Sequence, residues 1–375
     1  MGFRISALVA TAMAALAGLG PGARHAAVST SGGAGLPQQL SMAQLAGQRV
    51  VYAYAGLEPP PSLLTAVRAG EAGGVILFSN NVASRAQLRN VVAELQRAAL
   101  ASPVHERLLI LTDQEGGEVR RLPGAPILSE RQIGESSSGV ALARSAGAGA
   151  GRNLAGVGVN VNLAPVLDVY REPGDFIDQF ARSYSSRPAT AASLGGAFIR
   201  AQQSTGVAAT AKHFPGLGAA STAQNTDLRP VTLNLGLGTL RTVDEAPYRA
   251  AVAAGVKLVM TSWAIYPALD AKRPAGLSPI VIQDELRGRL GFRGVTITDG
   301  IEAGAVRPFG SLARRGVLAA GAGSDLVLCA ATNPAQNTPQ DGLTVLHALT
   351  AAISDGQLGL ASARQAAARI LALRR

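Results

Sequence analysis

Eight short apolar runs recur along the chain, and stretches rich in Ala, Leu and Arg separate them. The runs are almost continuously hydrophobic, which is typical of parallel strands that are covered on both faces. Intervening stretches such as RAQLRNVVAELQRAAL and IQDELRGRL have the apolar spacing of amphipathic helices. The eight runs span 48–54, 73–78, 107–113, 158–168, 206–214, 256–263, 294–299 and 324–329.

This alternation predicts an α/β fold, and eight strand–helix units in a 375-residue chain favour a single-domain (β/α)8 barrel of the TIM type. A helix near ASARQAAARILALRR is expected to close it. Because periodicity alone does not show closure, a doubly wound open sheet is the alternative. No glycine-rich phosphate motif follows the first strand, so we expect neither a dinucleotide-binding fold nor a nucleotide or flavin cofactor.

The N-terminal segment MGFRISALVATAMAALAGLG resembles a secretory signal peptide. Arg4 precedes an apolar stretch over 5–16, and an Ala-Leu-Ala cleavage pattern follows. The stretch is shorter than the roughly 20 residues of a spanning helix, so a retained membrane anchor is the weaker alternative. We therefore predict an exported protein. Its predicted parts are a signal peptide at 1–17 or extending to about 26, a flexible linker at 18–39 and a barrel at 40–375.

The basic charge does not favour a nucleic acid partner. The formal net charge is +10, from 34 lysines and arginines against 24 aspartates and glutamates. The basic residues occur singly or in pairs and never as a run interleaved with aromatic residues.

The four histidines are too dispersed for a zinc site, so we expect no metal. Cys329 is the only cysteine, which excludes an internal disulfide, and we predict a monomer.

Polar residues stand at the ends of several predicted strands. Asp113 closes LLILTD, Asp168 closes NLAPVLD and Asp299 closes GVTITD, while Lys212 and His213 follow VAATA. In a barrel these strand ends lie on one face, where the chemistry of such folds is carried out. Any single carboxylate could instead cap a helix or brace a loop. Together, carboxylates and cations at one mouth suit both recognition of sugar hydroxyls and catalysis by carboxylates.

Six segments are distinctive enough to compare with known families. They are LLILTDQEGGEVRRL, GVNVNLAPVLDV, AKHFPGLG, VMTSWAIYPALD, PAGLSP and GFRGVTITDGIEAGAV. In this order they resemble the successive blocks of glycoside hydrolase family 3, closest to its single-domain, NagZ-like β-N-acetylhexosaminidase branch. The resemblance covers most of the chain after the predicted linker. It implies a carbohydrate substrate and retaining hydrolysis through a covalent glycosyl-enzyme.

The resemblance also implies roles for individual residues. The family's nucleophile falls on Asp299 of TITDG, whose ionised carboxylate would attack the anomeric carbon. Trp263 stands where relatives commonly carry His, and we predict it to form a platform for a sugar ring, with packing at the barrel rim as the alternative. The family's sugar-binding positions fall on Asp113, Arg121, Arg182, Lys212 and His213.

The loop after KHFPG departs from the family pattern. The NagZ-like branch reads approximately GHGDTxxDSH there, and a mobile Asp-x-His pair supplies the general acid/base. This chain reads GLGAASTAQN, which puts Ala223 and Asn225 at the positions of that pair. Neither side chain can transfer a proton near neutral pH. Asp227 is our first candidate for a substitute and Glu302 the second, while Glu115 is expected to orient or pack other groups.

Three functions therefore remain open from the sequence. The first is an exported β-glycosidase that hydrolyses β-N-acetylglucosaminides of cell-wall-type glycans through Asp299, with Asp227 as a relocated acid/base. The second is a sugar-binding pseudoenzyme that has lost turnover. The third is a β-glycosidase of the same family with another sugar preference.

Overall fold

A closed barrel of eight parallel strands forms the centre of the protein, whose computed structural model describes residues 35–375. The predicted signal peptide and residues 18–34 of the predicted linker lie outside the described residues. Each strand pairs with the next along the chain, and the last pairs with the first, which confirms the predicted (β/α)8 barrel and excludes the open sheet. In chain order the strands are β1 (Val50–Tyr52), β2 (Gly74–Ile76), β3 (Leu109–Thr112), β4 (Val161–Asn162), β5 (Ala208–Phe214), β6 (Leu258–Thr261), β7 (Val295–Gly300) and β8 (Leu326–Leu328).

Helices surround the barrel and form its outer layer. The α-helices span Leu36–Gln39, Met42–Gly47, Pro61–Arg68, Arg85–Leu100, Glu130–Glu135, Gly139–Ala155, Pro188–Gln203, Leu237–Thr239, Ala246–Ala253, Leu312–Ala322, Pro339–Ser354 and Leu360–Leu373. Wider π-helices span Leu240–Asp244 and Ile280–Arg289, and 3-10 turns span Ser79–Asn81, Asp178–Phe180, Ala275–Leu277, Gly304–Phe309 and Pro334–Gln336. Two small antiparallel pairs join Gln114–Gly116 to Val119–Arg120 and Ile265–Tyr266 to Asp270–Pro274.

The helix Arg85–Leu100 illustrates how the sequence specifies this outer layer. It begins after Ser84, whose hydroxyl accepts a hydrogen bond from the Gln87 backbone N–H at 3.1 Å and satisfies one of the free donors of the first turn. Its apolar residues, from Leu88 to Ala99, are buried at helical spacing, while its polar face stays at the surface. The helix matches the stretch RAQLRNVVAELQRAAL predicted from periodicity.

The final helix, Leu360–Leu373, covers the end of the barrel at which the strands begin. Its Ile370 is fully buried and packs in one apolar cluster with residues from all eight strands, among them Val295 and Leu326. Beside it, buried Asp325 holds Arg369 at 2.7 Å. The predicted closing helix is therefore present, and it seals the base of the barrel with packed side chains.

Residues at the predicted boundary between linker and barrel are part of the fold. The helix Leu36–Gln39 falls within the stretch predicted as linker, and it contacts the final helix Leu360–Leu373.

Across residues 35–375, no helix has the length and apolar character needed to cross a membrane.

Candidate active site

A cavity of 370 Å³ opens where the barrel strands end. Strands β2 to β8 or the residues that directly follow them all contribute to its walls. The structure thus brings together residues that the sequence places in widely separated segments. Seven of the predicted site residues line this cavity: Asp113, Arg121, Arg182, Lys212, His213, Asp227 and Asp299.

Buried Lys212 is the centre of an ion-pair network on the cavity wall. Its Nζ lies 2.7 Å from Oδ1 of Asp113 and 2.7 Å from Oε1 of Glu115. Arg182 donates Nε and Nη2 to the two carboxylate oxygens of Glu115, each at 2.9 Å. Such a two-pronged, charge-assisted pair fixes the orientation of both side chains. The network therefore holds Lys212 and Arg182 in place before any ligand arrives.

Glu115 acts as a charged anchor for these two cations. The side chain is 1% exposed. Burial favours a higher pKa for Glu115, but Arg182 and Lys212 outweigh it and hold the pKa well below the usual range. A carboxyl that stays ionised in this way cannot deliver a proton near neutral pH. The geometry agrees with the orienting role expected for Glu115.

We expect Glu115→Gln to lower the free energy of unfolding by about 3 kcal/mol, because Lys212 and Arg182 would remain buried beside a neutral partner. Since the pKa of Glu115 is depressed in the folded state, this stabilisation is present above the ordinary glutamate pKa and is lost as pH falls. Urea unfolding at pH 7 and at about pH 2.5, well below the ordinary glutamate pKa, measures both effects. The control is Glu135→Gln, because Glu135 is 63% exposed and its pairing with Arg131 should contribute less than about 1 kcal/mol. Equal losses in the two variants would contradict the anchor role.

Asp168 fixes the ring of His213. Its Oδ2 lies 2.7 Å from His213 Nδ1, and its Oδ1 accepts the Leu217 backbone N–H at 2.6 Å. Because Nδ1 is engaged by Asp168, Nε2 is the ring nitrogen available to a ligand in the cavity. Sequence reasoning singled out Asp168 only as a strand-end carboxylate, and the structure shows it as a positioning residue.

Asp227 and Asp299 line the same cavity. Burial, followed by the nearby charge of Asp299, raises the pKa of Asp227 to about 6. A carboxyl with this pKa is protonated in mildly acidic solution and can both give and take a proton near its working pH. Asp227 and Asp299 are therefore a candidate pair of carboxyl groups at one cavity, of which Asp227 has the raised pKa.

Backbone hydrogen bonds hold Asp227 against the segment that follows β7. The Gly304 N–H donates to the Asp227 carbonyl at 2.7 Å, and an adjacent backbone hydrogen bond of 3.0 Å reinforces the contact. A Cβ at Gly304 would lie 2.1 Å from the Leu228 carbonyl oxygen, so this close approach requires glycine. The Asp227 N–H also donates to Oδ1 of Asn225 at 2.8 Å. Asn225, noted from sequence only as a lost proton donor, thus shapes the turn that presents Asp227.

Trp263 is not where a sugar platform would have to be. Its side chain is 1% exposed and lies outside the cavity walls. The indole N–H donates to the Gly300 carbonyl at 2.8 Å, and the ring packs closely over Gly276. Because the indole is enclosed, the prediction that Trp263 forms a platform for a sugar ring is wrong. Trp263 packs the rim of the barrel instead.

Glu302, the second candidate acid, also lies outside the cavity walls. Burial raises its pKa to about 7. Its pKa alone would suit a general acid, but its position does not bring it to the cavity.

One wall at the mouth of the cavity is apolar, and none of its residues was predicted from the sequence to belong to the site. It is formed by Phe176, Ile177 and Phe180. Phe180 is 47% exposed although it borders the cavity, and its turn is held by Asp178, which accepts from Arg131 at 2.6 Å. Nothing in the sequence shows that the loop carrying these three residues borders the cavity, so their place at the mouth could be found only from the structure.

Two of the carboxylates at this cavity form ion pairs with a lysine. No group of three or more His, Cys, Asp or Glu side chains in residues 35–375 is arranged to hold a metal ion. Asp113 and Glu115 are instead engaged with Lys212. The site's carboxylates can accept hydrogen bonds from the hydroxyl groups of a sugar ring, and its cations can donate hydrogen bonds to them.

Sequence comparison identifies relatives over almost the whole described region. The family "Glycosyl hydrolase family 3 N terminal domain" matches residues 35–373. An "Uncharacterized secreted glycosyl hydrolase" of Arthroderma benhamiae is 47% identical over 336 residues, which are 89% of this chain and 93% of that protein. A "Beta-hexosaminidase" of Stenotrophomonas maltophilia (strain K279a) is 36% identical over 262 residues, which are 68% of this chain and 75% of that protein.

Solved structures agree with these relatives. A family 3 beta-N-acetylglucosaminidase from Paenibacillus sp. superposes with a TM-score of 0.83 at 35% identity, over 89% of this chain and 62% of that one, so this chain spans less than two thirds of that protein. A beta-N-acetylhexosaminidase from Beutenbergia cavernae gives a TM-score of 0.80 at 31% identity, over 89% of this chain and 98% of that one. On these matches and the geometry of its site, the chain belongs to glycosyl hydrolase family 3, among the glycoside hydrolases similar to the beta-hexosaminidases.

Proposed function

We propose that the protein is a retaining β-glycosidase that releases β-linked N-acetylglucosamine from glycans of the cell-wall type. The main support for this proposal is that Asp299 and Asp227 line the same cavity and that the pKa of Asp227 is raised there to about 6. The sugar class is supported by the names of the relatives from Stenotrophomonas maltophilia and Paenibacillus.

The proposed reaction has two steps. In the first, the Asp299 carboxylate forms a bond to the anomeric carbon while the glycosidic C–O bond breaks, and Asp227 gives its proton to the departing oxygen. In the second, Asp227 takes a proton from water, whose oxygen attacks the anomeric carbon and releases Asp299. Two displacements at one carbon retain the β configuration.

The ion-pair network would hold the sugar during both steps. The Asp113 carboxylate accepts hydrogen bonds from ring hydroxyls, and Lys212 and Arg182 donate to others. Because Glu115 already fixes both cations, little rotamer freedom is lost when the sugar binds. His213, oriented by Asp168, offers Nε2 as a further ligand.

The first experiment measures nitrophenol release from 4-nitrophenyl β-N-acetylglucosaminide and from the β-glucoside, with the anomer of the first product followed by NMR. We expect faster turnover of the N-acetylglucosaminide and a β-anomeric product. An α-anomeric product would contradict the retaining mechanism, and faster turnover of the glucoside would contradict the sugar preference. Binding of N-acetylglucosamine without turnover of either substrate would instead support the sugar-binding pseudoenzyme.

We expect Phe180→Ala to weaken binding of a disaccharide substrate by offering less apolar surface to its second ring. Burying roughly 50 Å² of apolar surface at about 25 cal/mol per Å² is worth about 1 kcal/mol, or about fivefold in KM. The measurement is KM for N,N′-diacetylchitobiose. N-acetylglucosaminyl fluoride is the control substrate because it has no second ring, and its KM should not change. A similar rise in KM for both substrates would show that Phe180 does not act through the second sugar ring.

We also propose that the protein is exported. The N-terminal sequence has the charge, apolar stretch and cleavage pattern of a signal peptide, and the relative from Arthroderma benhamiae is named as secreted. Export would bring the site to glycans outside the cytoplasm.

A further inference from the structure

A second cavity, of 550 Å³, lies at the other end of the barrel from the candidate active site. We call it the basal cavity. Asn160, Ala208 and Val295, which stand just before or at the starts of three strands, form part of its wall, and the final helix forms another part. Its basic lining residues are Arg107, Lys257, Arg293, Arg369, Arg374 and Arg375.

The positive charge of the basal cavity is only partly neutralised. Among the described residues, no aspartate or glutamate lines it. Arg369 pairs with Asp325 at 2.7 Å and Arg375 with Glu106 at 2.6 Å, so two of the six cations have a carboxylate partner. The other four have no ion-pair partner within residues 35–375; three of them, Arg107, Lys257 and Arg293, are exposed.

Arg374 is a buried cation in the wall of the basal cavity. The residue is 9% exposed, and its Nη2 donates to the Gly73 carbonyl at 2.6 Å. Its buried Nε–H has no hydrogen-bond partner among the described residues. Arg374 therefore adds a positive charge to the wall of the basal cavity that no carboxylate in the described residues pairs with.

We propose that the basal cavity binds an anion that carries more than one phosphate group. Guanidinium groups match phosphate oxygens in geometry as well as in charge. Arg107, Lys257 and Arg293 come from three separate segments around the cavity, so they can contact different phosphates of one ligand. The cavity volume also lies within the range of small-ligand sites, about 300–1,000 Å³.

This site is independent of the proposed glycosidase chemistry. The basal cavity lies where the strands begin, and the carboxylates Asp227 and Asp299 lie where they end, with the packed interior of the barrel between them. Variants of the basal cavity should therefore leave hydrolysis of nitrophenyl glycosides unchanged, and this activity also reports that they are folded.

The test is calorimetric titration of the full chain with inorganic tripolyphosphate at fixed ionic strength. We expect saturable binding of one tripolyphosphate per chain, weakened on the order of 10-fold or more in the double variant Lys257→Ala/Arg293→Ala. The matched control is Arg144→Ala/Arg249→Ala, which removes two exposed cations outside the basal cavity and should bind like the wild type. No binding to the wild type, or equal weakening in the two double variants, would overturn the proposal.

Cosedimentation with vesicles distinguishes the sources of such phosphate groups. Tripolyphosphate binding with no cosedimentation on cardiolipin vesicles, whose headgroup carries two phosphates, supports a soluble ligand. Cosedimentation that tripolyphosphate displaces, and that the Lys257→Ala/Arg293→Ala variant lacks, supports a lipid headgroup or a similar phosphodiester. Cosedimentation that the Arg144→Ala/Arg249→Ala variant loses to the same extent would indicate diffuse surface charge and would overturn the site.

Discussion

Asp299→Ala is expected to lower kcat on 4-nitrophenyl β-N-acetylglucosaminide by on the order of 10⁴-fold or more, because this carboxylate forms the bond to the anomeric carbon in the proposed mechanism. The fold should tolerate the change. The only side-chain hydrogen bond of Asp299 within the described residues is accepted from the neighbouring Gly300 N–H at 2.7 Å. Steady-state kinetics with purified wild type and variant measure the loss.

Added azide makes this test specific for a nucleophile. Without the Asp299 carboxylate, azide can attack the anomeric carbon from the vacated face and should give the α-glycosyl azide, which NMR identifies. The control variant is Asp284→Ala, since Asp284 is exposed on the helix Ile280–Arg289 and should leave kcat unchanged. Retention of more than a few per cent of wild-type activity by Asp299→Ala would show that another group is the nucleophile.

Asp227→Ala is expected to lower kcat/KM for N,N′-diacetylchitobiose by about 10²- to 10⁴-fold, the usual contribution of a general acid. The loss should be much smaller for 2,4-dinitrophenyl β-N-acetylglucosaminide, because dinitrophenolate leaves without a proton. Azide should rescue this variant as well. It should then give the β-glycosyl azide, because Asp299 still forms the covalent intermediate and azide replaces water in the second step.

The pH profile gives a second readout for Asp227. A general acid must be protonated in the first step, so a pKa of about 6 predicts that wild-type kcat/KM falls tenfold per pH unit above about pH 6. Asp227→Ala should lose this alkaline limb. Glu302→Gln is the matched control, because burial raises the pKa of Glu302 to about 7 but the residue lies outside the cavity. If Glu302→Gln removed the limb and Asp227→Ala kept it, the assignment of the acid would be wrong.

The barrel was largely predictable because its strands are covered on both faces. This burial produces continuous apolar runs, and each of the eight predicted runs coincides with one barrel strand, with only Gly300 of β7 falling outside its run. Closure was not predictable in the same way. It depends on the pairing of Val50 with Val327, which lie at opposite ends of the fold in sequence, and no local periodicity encodes that contact.

The candidate site likewise contains residues that the sequence could place and residues that it could not. Asp113 and Lys212 meet because strand ends converge, so a motif at each strand end was enough to place them together. Asn225 and Phe180 owe their places to loop geometry and to contacts across loops, which a single sequence does not reveal. Trp263 was misplaced because exposure depends on what packs over a side chain, and only the structure shows the indole enclosed at the rim.

The final helix Leu360–Leu373 makes the barrel a cup with a sealed base, since Ile370 and the strand side chains around it fill the interior below the cavity. Within residues 35–375 the base offers no second passage, so the opening at the strand ends is the one route by which substrate and product can reach or leave Asp299. In the proposed function, each released monosaccharide must leave by the opening that the next substrate needs, so accumulated product competes directly with substrate.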